Sequence, residues 1–209
     1  MATLEELQLS LQALRDEAEI RGAVQNWALW RDTGNWEQLR RCYAAGARVQ
    51  TTWMQGTAEE FIAASQAGFA RPQAPRATHS IGACSVQIAG ERALAETRMI
   101  LLLRASLDGV EVDATAWGRF VDWFVRHEGR WVIARRHSIH EKDRLDPVNP
   151  AATLKLDEAR LATFPQGYRH LAYLQSHGGA SITPDLALHN GPGQETLYAA
   201  GRDWLAGKN

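Results

Sequence analysis

Apolar residues recur at helical spacing near the start of the chain, in Ile20, Val24, Trp27 and Ala28, and the stripe ends at Asp32-Thr33-Gly34. Glycine there supplies a helix stop. The pattern predicts a leucine- and glutamate-rich helix over residues 3–15, then a second helix to about Arg31 capped by Asp16. A short third helix is expected over residues 36–44, a strand over Arg48–Trp53, and a helix over Thr57–Ala67 opened by Thr57 with Glu60 as its capping partner.

After the turn-rich stretch RPQAPRA the period changes. Thr78–Ile88, Arg92–Arg104, Val110–Arg126 and Arg130–His140 are rich in Val, Ile, Thr, Phe and Trp, and Ala89-Gly90, Asp108-Gly109 and Glu128-Gly129 separate them. Such dipeptides between strand-like runs read as hairpin turns. Helices followed by an antiparallel meander indicate an α+β fold with helices on one face of a bent sheet. A two-residue Glu128-Gly129 loop would set Trp117, Arg119, Val121 and Trp123 on the same face as Val132, Ala134, Arg136, Ser138 and His140. Residues 1–144 are thus expected to form one domain, and 145–209 a C-terminal extension opened by the proline-bracketed DPVNP. The extension is expected to be helical over residues 156–175, broken by SHGGASITPD, and helical again over Gln194–Ala206. Leu161, Tyr168, Leu171, Leu174, Tyr198 and Trp204 give it apolar positions that a solvated linker would not need. It is therefore expected to pack on its own domain or on a neighbouring subunit of a homo-oligomer.

Composition narrows the functions. Basic and acidic residues balance at 23 against 24, which lacks the electrostatic footprint of a nucleic-acid binder. No run reaches the ~20 apolar residues of a membrane span, and the acidic first residues do not resemble a secretory leader. Two cysteines, Cys42 and Cys84, without metal-ligand spacing, suit a cytoplasmic protein with reduced thiols. His137-x-x-His140-Glu141 invites a metal reading, but strand alternation sends the two histidines to opposite faces. Neither a metal nor an organic cofactor is expected. The eight tryptophans either fill the core or offer contact area to a flat apolar ligand.

Three segments together resemble the SnoaL-like branch of the nuclear-transport-factor-2-like superfamily: EIRGAVQNWALWRDTGNWEQLRRCYAAGARV, ATHSIGACSVQIAGERALAETR and DGVEVDATAWGRFVDWFVRHEGRWVIARR. The resemblance covers about residues 16–142 and implies a cone in which a bent antiparallel sheet closes over helices around a deep pocket. Similar members include scytalone dehydratase, hexachlorocyclohexane dehydrochlorinase, bile acid 7α-dehydratase, polyketide cyclases and ketosteroid isomerase. By that likeness Asp32 and His79 match a catalytic pair, with Arg136 facing the pocket to steady a leaving group or oxyanion. Trp27, Trp30, Trp53, Trp117, Arg119, Trp123 and His140 are the candidate substrate-binding residues. Where relatives often carry Tyr or Lys, five residues before the aspartate, this chain has Trp27. Indole donates a hydrogen bond but transfers no proton, so Tyr43, His137 or His140 would have to supply one.

The pair also makes physical sense by itself. Asp32 lies at i+4 from Ala28, at the border of the buried stripe, and a carboxylate beside an imidazole fixes its tautomer. The expected activity is a cofactor-free lyase or isomerase that takes a proton from an apolar, aromatic or polycyclic small molecule and expels water, halide or formaldehyde. The competing expectation is a binding or scaffolding module of the same fold, since many functions share it.

Overall fold

The computed structural model describes residues 2–72 and 74–208; Met1, Asn209 and Gln73 of the turn-rich stretch lie outside them. Helix α1 runs unbroken over Leu4–Thr33, capped by Thr3 and Glu6, which corrects the expectation of two helices. No Gly or Pro interrupts the chain near Arg15, and Asp16 is engaged otherwise. Its carboxylate accepts from Arg126 at 2.6 Å and from Gln12 at 2.9 Å, tying the helix to the sheet instead of capping it. Arg126 is also the main reason the Asp16 carboxyl is held below its ordinary value. Leu4, Leu7, Leu11 and Leu14 precede that anchor and are exposed.

Helix α2 spans Trp36–Arg41, strand β1 Tyr43–Gln50, β2 Gln55–Thr57 and α3 Ala58–Phe69. The Thr57–Glu60 capping box forms as the sequence indicates. β1 begins five residues earlier than expected, directly after α2. The meander follows as β3 (Arg76–Ala89), β4 (Arg92–Leu107), β5 (Val110–His127) and β6 (Arg130–Pro147). Asp108-Gly109 and Glu128-Gly129 sit at positive φ, as tight hairpin turns between right-twisted strands require.

The sheet order is β2-β1-β6-β5-β4-β3, with β1 running parallel to β6. It stays open and curves over α1 and α3. The main core lies in that concavity and joins Ile20, Val24 and Trp27 of α1 to Phe61 and Ile62 of α3 and to Phe120 and Phe124 of β5.

Two irregularities bend β5 against β6. At the first, Phe124 pairs with Ile133 but Trp123 pairs with Arg135, so Ala134 is an extra residue. A one-residue slip turns every later side chain over. The regular register expected from the Glu128-Gly129 loop therefore fails beyond Ile133. Arg136 lies opposite Asp122, and Trp117, Arg119, Val121 and Trp123 belong to the outer face, not to the face of Arg136. At the second, Trp117 pairs with Lys142 and Gly118 with His140. The backbones approach so closely there that a Cβ on Gly118 would stand 2.5 Å from the Ile139 carbonyl oxygen.

The extension lies against the sheet. Its expected long helix is broken into α4 (Glu158–Leu161) and α5 (Arg169–His177) by the intervening proline and glycine. Leu161, Tyr173 and Leu174 pack with Leu107, Val112 and Ala114 at one end of the sheet. Strand β7 (Ala187–Leu188) pairs with β6 at Ile139 and His140, beyond the reach of β1. Helix α6 (Pro192–Leu205) then covers the outer face, with Leu197, Tyr198, Ala200 and Trp204 against Val121, Trp123 and Ile139. Among the described residues no helix is long and apolar enough to cross a membrane.

Candidate active site

A cavity of about 100 Å³ opens between α1, α3 and the concave face of the sheet, with Trp27, Trp53, Phe61, Met99 and Leu101 among its apolar walls. It is of the same order as the ~150 Å³ apolar cavities that take up benzene. The extension supplies part of the wall through Leu171 and Gln175 of α5. Gln175 is fixed there by its side-chain oxygen, which accepts from the Thr52 hydroxyl at 2.7 Å. The amide NH2 has no hydrogen-bond partner among the described residues.

The last turn of α1 and the first residues of β3 bring Asp32 and His79 together. Asp32 Oδ1 lies 2.7 Å from His79 Nδ1, and Oδ2 accepts the His79 backbone N–H at 2.5 Å. Both carboxylate oxygens are thereby used on one residue. Their side chains are only 13% and 11% exposed, so the pair works in a largely desolvated setting where such contacts are strong. With Nδ1–H donated to the carboxylate, the neutral ring keeps its lone pair on Nε2. His79 lines the cavity, and Trp27 meets its ring edge-on at 5.3 Å between centroids.

The other candidates divide by face. Trp27, Trp53 and His140 line the cavity together with His79. The Trp27 indole N–H is donated to the Tyr43 hydroxyl at 2.6 Å, which leaves the ring face for a ligand but not the donor. Trp30 packs, half-buried, against the main core and is not among the lining residues. Trp117, Arg119 and Trp123 lie on the outer face. Arg119 is held there by Glu96, Glu141 and Tyr198, Lys142 stands over the Trp117 ring, and Trp123 lies beneath α6. The Ala134 bulge, invisible to a count of alternate positions, is what moves these three away.

Arg136 is on the inner face but behind the cavity wall. It is 1% exposed and forms a bidentate pair with Asp122, Nε to Oδ1 at 2.6 Å and Nη2 to Oδ2 at 2.7 Å. Its guanidinium stacks under Trp27 and Phe120 at 4.0 and 4.2 Å from the ring centroids. Burial pushes the Arg136 guanidinium down, but Asp122 outweighs that and holds it charged. Arg136 thus buttresses Trp27 from below. No signal in the sequence marks Asp122 as its partner once the register is taken as regular.

Two of the expected proton sources are unsuited to that task. Burial raises the Tyr43 phenol well above its ordinary value. Burial also pushes the His140 imidazole down to about 4, and its Nε2 has no hydrogen-bond partner among the described residues. His137 lies on the opposite face of β6, with Nδ1 2.6 Å from the Gln50 side-chain oxygen and its ring 5.4 Å from that of Trp123. No group of His, Cys, Asp and Glu side chains that could hold a metal occurs among the described residues.

The neutral His140 has a consequence for stability. Its folded value of about 4 lies below the ordinary 6.5, so between these two the unfolded chain binds the extra proton. The contribution is complete above about pH 6.5 and is lost as pH falls toward 4. At pH 5 it should cost about 2 kcal/mol relative to pH 7.5. Urea melts at the two pH values should show this loss, and His140→Asn should reduce the difference between them.

Comparison with known proteins decides the family. The SnoaL-like domain matches residues 12–137. The chain belongs to the SnoaL-like family. Among solved structures, an NTF2-like protein of cystatin-like fold from Novosphingobium aromaticivorans superposes with a TM-score of 0.51 at 21% identity, covering 66% of this chain and 90% of that one. A candidate scytalone dehydratase from the same organism gives 0.53 at 15% identity, over 70% and 99%. These likenesses establish the nuclear-transport-factor-2-like fold. Sequence relatives reach further along this SnoaL-like chain. Pea pathogenicity protein 2 of Fusarium vanettenii is 30% identical over 202 residues, 92% of this chain and 87% of its own length. A protein of Emericella nidulans is 31% identical over 212 residues, with the same coverage. Ninety-two per cent cannot be reached without most of the segment after Leu145, so the extension is shared with these relatives.

Proposed function

We propose that the protein is a cofactor-free acid/base enzyme of the dehydratase–isomerase kind, with His79 as general base and Asp32 as the group that orients it. The observation that carries this reading is the 2.7 Å contact between Asp32 Oδ1 and His79 Nδ1 at the wall of a mostly apolar cavity. His79 Nε2 would take a proton from carbon or from a hydroxyl, and the carboxylate would stabilise the imidazolium formed. The electron pair left behind would expel a leaving group from the adjacent carbon, or shift a double bond. The cavity's size favours a ligand with a single aromatic ring in the pocket. Relatives in the family include enzymes of this type, which agrees with the reading.

Proton abstraction can be tested without knowledge of the leaving group. Aromatic ketones and lactones with an acidic C–H, first screened for binding by thermal shift, would be incubated with the protein in D2O and followed by NMR. Deuterium should enter at the acidic carbon of at least one bound compound, and the exchange should depend on His79. Compounds that compete for the cavity yet show neither exchange nor turnover would identify a binding module instead.

A further inference from the structure

Arg31 precedes the dyad aspartate and also lines the cavity. Its guanidinium makes no hydrogen bond or ion pair among the described residues; its neighbours are the rings of Trp36 and Phe61, each with its centroid 6.0 Å from Cζ. Asp32 makes no hydrogen bond to it, and each of its carboxylate oxygens is directed at His79. Burial holds the Arg31 guanidinium below its ordinary value, with Asp32 opposing that shift. Its place in the last turn of α1 suits a cation near the negative end of the helix, but this does not explain a half-buried guanidinium on the cavity lining with no hydrogen-bond partner among the described residues. A half-buried cation with no hydrogen-bonded anion is costly. Gln175, with its oxygen bound by Thr52, adds an NH2 donor to the same wall. Arg31 and the Gln175 amide thus bring unmatched donors to the cavity lining, and one of them is charged.

We infer that the ligand of this cavity is an anion: a small aromatic or unsaturated carboxylate whose carboxylate pairs with the Arg31 guanidinium and whose apolar body lies against Trp27, Trp53 and Phe61. Guanidinium and carboxylate match as two parallel hydrogen bonds. The inference rests on the acid/base reading for what happens next, because a carboxylate anchored at residue 31 would hold the rest of the molecule within the cavity that His79 lines. The affinity itself needs no turnover, so the two can fail separately.

Isothermal titration of the full chain with benzoate and phenylacetate, and with the isosteric benzamide and phenylacetamide, tests it. The carboxylates should bind at least about tenfold more tightly than the amides, and added salt should narrow the gap. Arg31→Gln should abolish the preference by weakening the carboxylates while leaving the amides nearly unchanged. Arg31→Lys, which keeps the charge but not the fork, should retain part of it. His79→Ala should keep the preference, so that loss of turnover alone would bear only on the acid/base reading. Equal affinity for acid and amide, a preference that survives in Arg31→Gln, or no binding of either carboxylate would overturn the inference. Turnover of a neutral compound from which carboxylates are excluded would do so too, and would leave the acid/base reading intact.

Discussion

Asp122→Ala should destabilise the fold by about 3–5 kcal/mol, the usual cost of removing one partner of a buried ion pair. Asp122 and Arg136 are 0% and 1% exposed, and the pair is bidentate. Arg136 Nη1 already has no partner among the described residues. Without Asp122 the guanidinium would lie between the rings of Trp27 and Phe120 with no hydrogen-bond partner among the described residues. The loss follows from the stranded charge rather than from the missing contact, and a second variant separates the two. Asp122→Leu combined with Arg136→Met replaces both charges by apolar groups of similar bulk and should recover most of the stability, since such replacements are often neutral. Urea unfolding of the wild type, the single variant and the double variant measures this. If the double variant is as unstable as Asp122→Ala, the stranded charge is not the cause.

The same pair shows where sequence reading stopped. The amphipathic stripe of α1, the Thr57–Glu60 cap and the two positive-φ hairpins at Asp108-Gly109 and Glu128-Gly129 are local features, and each is legible because its cause lies within a few residues. The contact of Asp32 with His79 spans 47 positions and is legible only through the sequence contexts that resemble the family, which fix both residues relative to one fold. Arg136 is legible in the same way, but its environment depends on the extra residue Ala134 in β6. Nothing in the composition of Arg130–His140 announces a bulge, because a bulge is set by how two strands twist against one another. One uncounted residue was enough to exchange Asp122 for Val121 opposite Arg136, and to send Trp117, Arg119 and Trp123 outward. Arg31 is not legible, for a different reason. At the end of the apolar stripe of α1 nothing in its sequence context sets it apart, and its place on the cavity lining beside Trp36 and Phe61 emerges only from the fold.

Once a turned-over compound is in hand, His79→Ala should lower turnover by about 10²–10⁴-fold, the usual worth of a positioned general base. Stability should fall far less than turnover, by no more than the loss of the Asp32 contact and of the packing against Trp27 and Phe120. Asp32→Asn makes a sharper test of how the dyad works. Asp32 Oδ2 accepts the His79 backbone N–H, while Oδ1 faces Nδ1. Asparagine has only one acceptor oxygen, and the backbone N–H claims it. The amide NH2 is then turned toward Nδ1, and the neutral imidazole must carry its proton on Nε2 instead. The nitrogen available to a ligand would change from acceptor to donor with the geometry nearly intact. Turnover should therefore fall almost as far as in His79→Ala, although Asp32→Asn leaves the imidazole in position. ¹⁵N chemical shifts of the His79 ring would report the tautomer directly: Nδ1–H in the wild type and Nε2–H in the variant. An Asp32→Asn protein that has switched tautomer but still turns over at the wild-type rate would exclude His79 Nε2 as the base.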